Sequence, residues 1–119
     1  FAAATLDDQW IHTDPGRAEK QSPYGKAVAH GFMSVALVSA MIGDVVTLES
    51  MKMGINYGLN RVRFPSPVPV DGRLRLHCRL GQMEEMDNNG LKVTWICEVE
   101  LENSDKPACV CELIAVVFE

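Results

Sequence analysis

An aspartate and a histidine near the start of the chain could carry out acid–base chemistry. Asp7 and His12 lie in the stretch Phe-Ala-Ala-Ala-Thr-Leu-Asp-Asp-Gln-Trp-Ile-His-Thr-Asp, residues 1–14. On a continuous helix this spacing places the two side chains ~140° apart, so they converge only if the helix ends near Gln9 or Trp10 and the chain turns. A carboxylate and an imidazole brought together can activate a water molecule. The alternative is that both residues cap helix ends or lie on the surface.

A glycine at the start of an apolar helix is the second candidate. Gly31 ends the run Tyr-Gly-Lys-Ala-Val-Ala-His-Gly, residues 24–31. The first N–H groups of a helix have no partner within it and lie at the positive end of the helix dipole, which suits a carbonyl oxygen that develops negative charge. The alternative is a glycine that permits close packing of helix and sheet. We interpret the neighbouring His30 as a packing histidine whose ring nitrogens find partners in the interior.

The hydrophobic pattern predicts helices first. Residues 1–9 are rich in alanine and favour a helix, whereas the prolines, glycine and serine of residues 11–24 indicate a loop, whose Asp-Pro-Gly sequence supports an early helix end. Residues 31–42 are apolar almost all round. They predict a helix buried on every side, with Gly43 as its stop.

The remaining two thirds of the chain has the period of β-strands. Residues 108–118 are apolar on both faces except for Glu112, which predicts a central strand. One buried helix followed by an antiparallel meander predicts an α+β protein of the hotdog architecture, in which the sheet wraps around a single central helix. So short a sheet leaves an apolar face uncovered, and we therefore expect a dimer. Alternating strand segments are predicted at 55–60, 73–80 and 91–101, a proline-stiffened loop at 64–72, and turns at 87–90 and 103–107.

The composition fits a single domain over residues 1–119. Hydrophobic residues make up 47% and charged residues 23%, so the chain is not disordered. A net charge of −5 argues against nucleic-acid binding, which needs a cationic surface. The longest uncharged run, 27–43, is too short to span a membrane.

The four cysteines, Cys78, Cys97, Cys109 and Cys111, lie in apolar strand segments and are expected to be buried, reduced thiols of a cytoplasmic protein.

Two of these stretches together resemble a known family. Phe-Ala-x-x-Thr-x-Asp-x-Gln-Trp-Ile-His-x-Asp at 1–14, followed by Tyr-Gly-x-x-x-Ala-His-Gly-Phe at 24–32, is similar to the MaoC-like dehydratases, which are (R)-specific enoyl-CoA hydratases of hotdog fold. The Gln-Trp-Ile-His sequence and the stretch 57–68 resemble the nodulation-protein-N-like branch. Family members usually have a strand before the first helix, so we expect that strand to precede Phe1 or the sheet to be one strand short.

The resemblance assigns roles to individual residues. It implies that Asp7 and His12 are the catalytic aspartate and histidine, and that the Gly31 N–H polarises the thioester carbonyl. Gln9 takes the place of the usual asparagine, and Trp10 replaces a proline, so the turn before His12 must be built differently. The resemblance also implies that Ser39 lines the same site and that Gln9 supplies the amide there. From the residues themselves we expect Phe32, Met33 and Leu37 to line an apolar acyl slot beside the buried helix, and Arg61 and Arg63, which flank the proline-rich loop, to bind CoA phosphates.

The implied function is hydration of a trans-2-enoyl thioester by a homodimer or higher homo-oligomer, without a metal or redox cofactor and without a nucleic-acid or membrane partner. The carrier is CoA or an acyl carrier protein. Five arginines between 61 and 79 could bind CoA phosphates; the alternative is a solvated sheet face balanced by Glu98 and Glu100. Two other functions stay open: thioester hydrolysis on the same fold, and a non-catalytic dimer that binds acyl thioesters.

Overall fold

A four-stranded antiparallel sheet forms the larger part of the molecule in the computed structural model, which describes residues 1–119. Its strands are β1 (Met53–Arg63), β2 (Leu74–Met86), β3 (Gly90–Leu101) and β4 (Cys109–Phe118). The spatial order is β1-β4-β3-β2, so the predicted central position of the last strand is confirmed.

The predicted simple meander is wrong for the first strand. Strands β2, β3 and β4 follow one another across short turns, but β1 pairs with β4 rather than with β2. The reason lies in the connection after β1. The proline-rich segment 64–73 is long enough to cross from one edge of the sheet to the other, and it pairs on its way with Val28 through Pro69.

One face of the sheet carries the core, as the alternation predicts. Cys97 lies between Cys78 and Cys111 on the neighbouring strands, and all three side chains are on the face that packs against the helices. The alternation in β2 is interrupted after Leu80, where the register shifts. The buried core consists of Val38, Val68, Cys97, Val99, Leu101, Ala108, Cys109, Cys111 and Leu113.

The four thiols are free, and three of them are buried; Cys78 is only partly buried, contrary to expectation, because it lies on the edge strand. The neighbouring Cys111 thiol, together with burial, raises the pKa of the Cys97 and Cys109 thiols. These two thiols therefore stay protonated and behave as small apolar groups in the core.

The helices before the sheet are shorter than the sequence predicts. The predicted helix over 1–9 ends at Thr5, because Leu6 adopts a left-handed conformation with φ 62°. The predicted loop over 11–24 contains two helices instead. Asp14 caps the second of them, since its Oδ1 accepts a hydrogen bond from the N–H of Arg17 at 3.0 Å. The helices are α1 (Ala2–Thr5), α2 (Trp10–Thr13), α3 (Pro15–Gln21), α4 (Gly31–Ala36) and α5 (Val38–Val45).

The predicted central helix is divided and only partly covered. It is interrupted at Leu37 and continues past Gly43 to Val45. Only Ser34 and Val38 are buried in it, so the expected burial on every side is not met within one chain. The physical reason is that the sheet covers one face of the helix pair and leaves the other open. No helix of the structure is both long and apolar enough to cross a lipid bilayer.

Candidate active site

Asp7 lies in the irregular segment that follows α1. The left-handed Leu6 turns the chain sharply before it, and the Asp7 N–H donates to the Oγ1 of Thr5 at 3.4 Å. Its side chain is 53% exposed, so the carboxylate faces the solvent side of the site. The chain turns at Leu6, three to four residues before the expected position at Gln9 or Trp10, but the consequence is the same: Asp7 and His12 are not on one continuous helix.

His12 lies on α2, and its ring has one defined orientation. Nδ1 is 2.6 Å from the carbonyl oxygen of Val28. Since a carbonyl only accepts, Nδ1 carries the proton, and Nε2 of the neutral ring is left as an acceptor. The turn before His12 is built without the family's usual proline: Trp10 begins α2, and the guanidinium of Arg17 lies over its ring at 4.3 Å.

A short extended segment, residues 27–30, joins the first helices to the rest of the fold. Its Val28 N–H donates to Ile11 O at 3.0 Å, next to the bond from His12. On its other side, Ala29 donates to Val68 O at 2.8 Å, and Val70 donates to Ala27 O at 2.9 Å. The catalytic candidates at the start of the chain are thereby tied to the proline-rich segment, far away in sequence.

Asp7, His12 and His30 form one group. A carboxylate oxygen and one ring nitrogen from each histidine all lie within 4.8 Å of one another. The two imidazoles are stacked, with their centroids 3.8 Å apart and an angle of 22° between the ring planes. His30 is 6% exposed, and its Nε2 lies 2.7 Å from the main-chain oxygen of Asp7.

Three potential metal ligands in one place raise the question of a metal ion. The stacking argues against it, because two nearly parallel rings direct their lone pairs side by side rather than at one point. The Nε2 of His30 is also the donor in its bond to the Asp7 carbonyl, so only Nδ1 of that ring keeps a free lone pair. The arrangement suits a water molecule between a carboxylate and an imidazole better than a metal ion with three protein ligands.

Gly31 follows His30 as the first residue of α4. A Cβ at this position would lie 2.8 Å from Cδ2 and 3.0 Å from Cγ of Phe64. The glycine is therefore required for close packing, although against the ring of the proline-rich segment rather than against the sheet. Its N–H, as the first of the helix, has no acceptor within α4.

A cavity of about 450 Å³ opens beside the histidines. His12 and His30 line it, together with Met33 and Leu37 from the helix. Phe32, the third residue expected along an acyl slot, lies elsewhere: it is 69% exposed and packs edge-on against Phe64 with the ring centroids 6.1 Å apart.

Two other expected substrate-binding residues are not brought into this group. Gln9 is exposed and its amide caps nothing; its main-chain oxygen accepts from His12 N–H at 3.0 Å. Ser39 donates from Oγ to Oδ1 of Asn56 at 3.1 Å and lines a separate apolar cavity of about 320 Å³ between α5 and the sheet.

The arginines are distributed over the outer face of the sheet. Arg75 makes two hydrogen bonds to Glu100, at 2.9 and 3.2 Å, and His77 makes another at 2.7 Å. Arg75 and His77 together hold the pKa of the Glu100 carboxyl at about 2. Arg73 likewise lies 3.6 Å from a carboxylate, that of Glu102. Arg73 and Arg75 therefore belong to a solvated sheet face on which acidic residues balance their charge, as the alternative to phosphate binding predicts.

Arg61 and Arg63 have no carboxylate partner among the ion pairs of the structure. Arg61 adopts φ 50° in an irregular stretch of β1 and lines an outer cavity of about 400 Å³ with Arg79. Arg63 directly precedes Phe64, which contacts Gly31. Its Nη1 donates to Val62 O at 2.7 Å.

Sequence reasoning missed two contributions to this site. His30 is buried and hydrogen-bonded, as a packing histidine should be, but it also contacts both catalytic candidates, which the sequence does not predict; its position directly before Gly31 is the available signal. Val28 acts through its main-chain oxygen, and no side-chain pattern could have indicated it.

Comparison with known proteins agrees with the geometry. The family model described as MaoC like domain matches residues 1–100. A 3-hydroxyacyl-thioester dehydratase Z of Mycobacterium tuberculosis is 48% identical over 114 residues, which covers 96% of this chain and 75% of that protein. A nodulation protein N of Rhizobium leguminosarum is 40% identical over 118 residues, covering 98% of this chain and 73% of that protein.

Among solved structures, an unliganded R-hydratase from Pseudomonas aeruginosa superposes with a TM-score of 0.73 at 24% identity, covering 100% of this chain and 70% of the other. This likeness confirms the expected hotdog fold. The family resemblance seen in the two N-terminal stretches is confirmed as well: the chain belongs to the MaoC-like domain family.

Proposed function

We propose that this protein catalyses the reversible addition of water to a trans-2-enoyl thioester of CoA, giving the (R)-3-hydroxyacyl thioester. The observation that carries the proposal is the pairing of the Asp7 carboxylate with a ring nitrogen of His12, within 4.8 Å, at the side of a partly apolar cavity. The similarity to a 3-hydroxyacyl-thioester dehydratase supports a hydro-lyase of the hydratase or dehydratase class.

A separation of at most 4.8 Å between the two groups is compatible with one shared water. Two hydrogen bonds of about 2.8 Å that meet at a tetrahedral water place their outer atoms roughly 4.5 Å apart. Asp7 offers carboxylate oxygens and His12 offers Nε2, since its Nδ1 is committed to Val28. Both protons of the water then point at acceptors, and a lone pair of its oxygen is left to attack C3 of the substrate.

The protons and electrons of the addition balance with water and the catalytic pair alone. The pair removes one proton from the water as its oxygen bonds to C3, and the electrons of the C2–C3 double bond move towards the thioester oxygen. Return of a proton from the pair to C2 completes the hydration. Because a single pair handles both steps, oxygen and hydrogen add to the same side of the double bond. Dehydration is the same sequence in reverse.

The Gly31 N–H is proposed to stabilise the enolate-like oxygen that forms at C1. It is the first N–H of α4 and lies one residue from His30, at the edge of the Asp7 group. The acyl chain would then run along Met33 and Leu37, which line the cavity next to the histidines. Arg61 and Arg63, without carboxylate partners, remain the candidates for CoA phosphates.

One assay separates this function from its alternatives. Purified protein is mixed with crotonyl-CoA, and the loss of enoyl absorbance and the release of free thiol are followed together. The proposal expects loss of absorbance without thiol release. Thiol release indicates a thioesterase, and tight binding without either change indicates a non-catalytic acyl-thioester-binding protein; both results contradict the proposal.

We further propose that the enzyme works as a cytoplasmic homodimer. The outer edge of β1 is unpaired, and the exposed apolar residues Ile55, Tyr57 and Leu59 lie along this strand. The open face of α4 is also apolar at Phe32. Light scattering should give a mass of twice 13.1 kDa or a multiple of it, and a stable, active monomer would contradict the proposal.

A further inference from the structure

His30 is buried, titratable and unused by the mechanism proposed above, yet it contacts both members of the catalytic pair. It is 6% exposed and directly precedes α4. Its Nε2–H donates to the main-chain oxygen of Asp7 at 2.7 Å, and its ring stacks on that of His12. Phe1 packs against the same ring, with the centroids 4.9 Å apart.

Asp7 needs such a partner because little else fixes it. It follows the left-handed Leu6 outside any helix, and its side chain is 53% exposed. Its N–H makes one long hydrogen bond, at 3.4 Å, to Thr5 in the exposed first helix. The bond from His30 is the shorter one, and it joins Asp7 to a buried residue at the start of α4.

The second catalytic group is held from the same segment. His12 donates to the oxygen of Val28, two residues before His30. The extended segment 27–30 therefore holds both catalytic groups. The His30 side chain binds Asp7, the Val28 oxygen binds His12, and the two imidazole rings stack on each other. Catalytic pairs lose rate steeply when one member moves by about an ångström.

We propose that His30 is a positioning residue: its Nε2–H holds the main chain of Asp7, so that the Asp7 carboxylate stays at the distance from His12 that one shared water requires. This inference rests on the proposed hydration and adds to it a residue that does not touch the substrate's reacting atoms.

Two substitutions separate the hydrogen bond from the packing of the ring. His30→Phe keeps an aromatic ring for stacking but removes the donor. His30→Gln removes the ring and can place an amide N–H near the position of Nε2. With crotonyl-CoA, His30→Phe should lower kcat by about 10- to 100-fold with KM within about twofold, and His30→Gln should recover most of the lost kcat.

The outcomes are distinct. A kcat of His30→Phe within twofold of the wild type overturns the inference, because the ring without its donor would then be sufficient. An equal loss in both variants also overturns it, because an N–H donor at this position would then not restore the rate. An inactive wild-type protein overturns the proposed function and this inference with it, whereas an active wild type with an unaffected His30→Phe variant overturns the inference alone.

A measurement on the wild type covers the case in which His30→Phe does not fold. Nitrogen NMR of the ring should show the proton of His30 on Nε2, with slow exchange, because this atom donates to the Asp7 carbonyl. A neutral ring protonated on Nδ1 would overturn the inference.

Discussion

Replacing Gly31 by alanine should destabilise the protein, although the same substitution within a helix is ordinarily favourable. The added Cβ would lie 2.8 Å from Cδ2 and 3.0 Å from Cγ of Phe64. The Cγ atom is bonded to the Cβ of Phe64, so the clash is not relieved by moving only the tip of the ring. Overpacking of this kind costs about 1–3 kcal/mol, against a gain of at most about 0.5–1 kcal/mol from helix propensity, which leaves a net loss of up to roughly 2.5 kcal/mol.

Gly43→Ala is the matched control. Gly43 lies inside α5, is exposed, and has no atom within 4 Å of the position of a Cβ. At this position only the helix propensity changes, and the free energy of unfolding of the variant should rise by about 0.5–1 kcal/mol. The two glycine-to-alanine changes should therefore have opposite signs.

Thermal unfolding of the wild type and both variants measures this directly, because 1 kcal/mol corresponds to roughly 3–6 °C in Tm for a domain of this size. A Gly31→Ala protein that melts at or above the Tm of the wild type would refute the packing argument, since the Phe64 ring would then have moved aside without cost. Urea unfolding at neutral pH provides the same comparison as a free energy of unfolding.

Two further perturbations test the electrostatics and the core. Since Arg75, with His77, holds the pKa of Glu100 at about 2, below the ordinary 4.5, this carboxylate adds stability above about pH 4.5 that is lost as the pH falls towards 2. Arg75→Ala should move the Glu100 pKa, followed by carbon NMR, up towards 4.5, and an unchanged pKa would contradict the assignment. Among the four thiols, the partly buried Cys78 should react first with a thiol reagent in the native protein, as read by mass spectrometry. Equal labelling of the buried Cys97 would contradict the packing of the core.

The strands were predictable from the sequence because their side-chain alternation is a local property. The pairing of β1 with β4 was not, because it joins segments far apart in sequence and nothing in either strand specifies its neighbour. The divided central helix illustrates the same limit. Its apolar residues predict burial, but whether one sheet covers them depends on the curvature and width of that sheet, which no single segment determines.

At the site, the residue types indicated which side chains matter, but the sequence did not predict the backbone conformation that brings them together. The spacing of Asp7 and His12 requires that the two residues do not share one continuous helix, and they do not: α1 ends before Asp7, at Leu6 in a left-handed conformation that a leucine rarely adopts. The Asp-Pro pair at 14 and 15 begins a helix, although the turn-forming residues around it predict a loop. The oxygen of Val28 has no sequence signal at all.

The central claim is that Asp7 and His12 act together on one water, and the most direct test compares Asp7→Asn with Asp8→Asn. Asp8 has the same chemistry one position away and lies outside the group formed by Asp7, His12 and His30. Turnover of crotonyl-CoA should fall by about 10²–10⁴ in Asp7→Asn and in His12→Ala, and the double variant should be scarcely worse than the worse single one. Asp8→Asn should keep most of its activity. Unchanged turnover in Asp7→Asn and His12→Ala, or loss in Asp8→Asn with Asp7→Asn active, would contradict the claim.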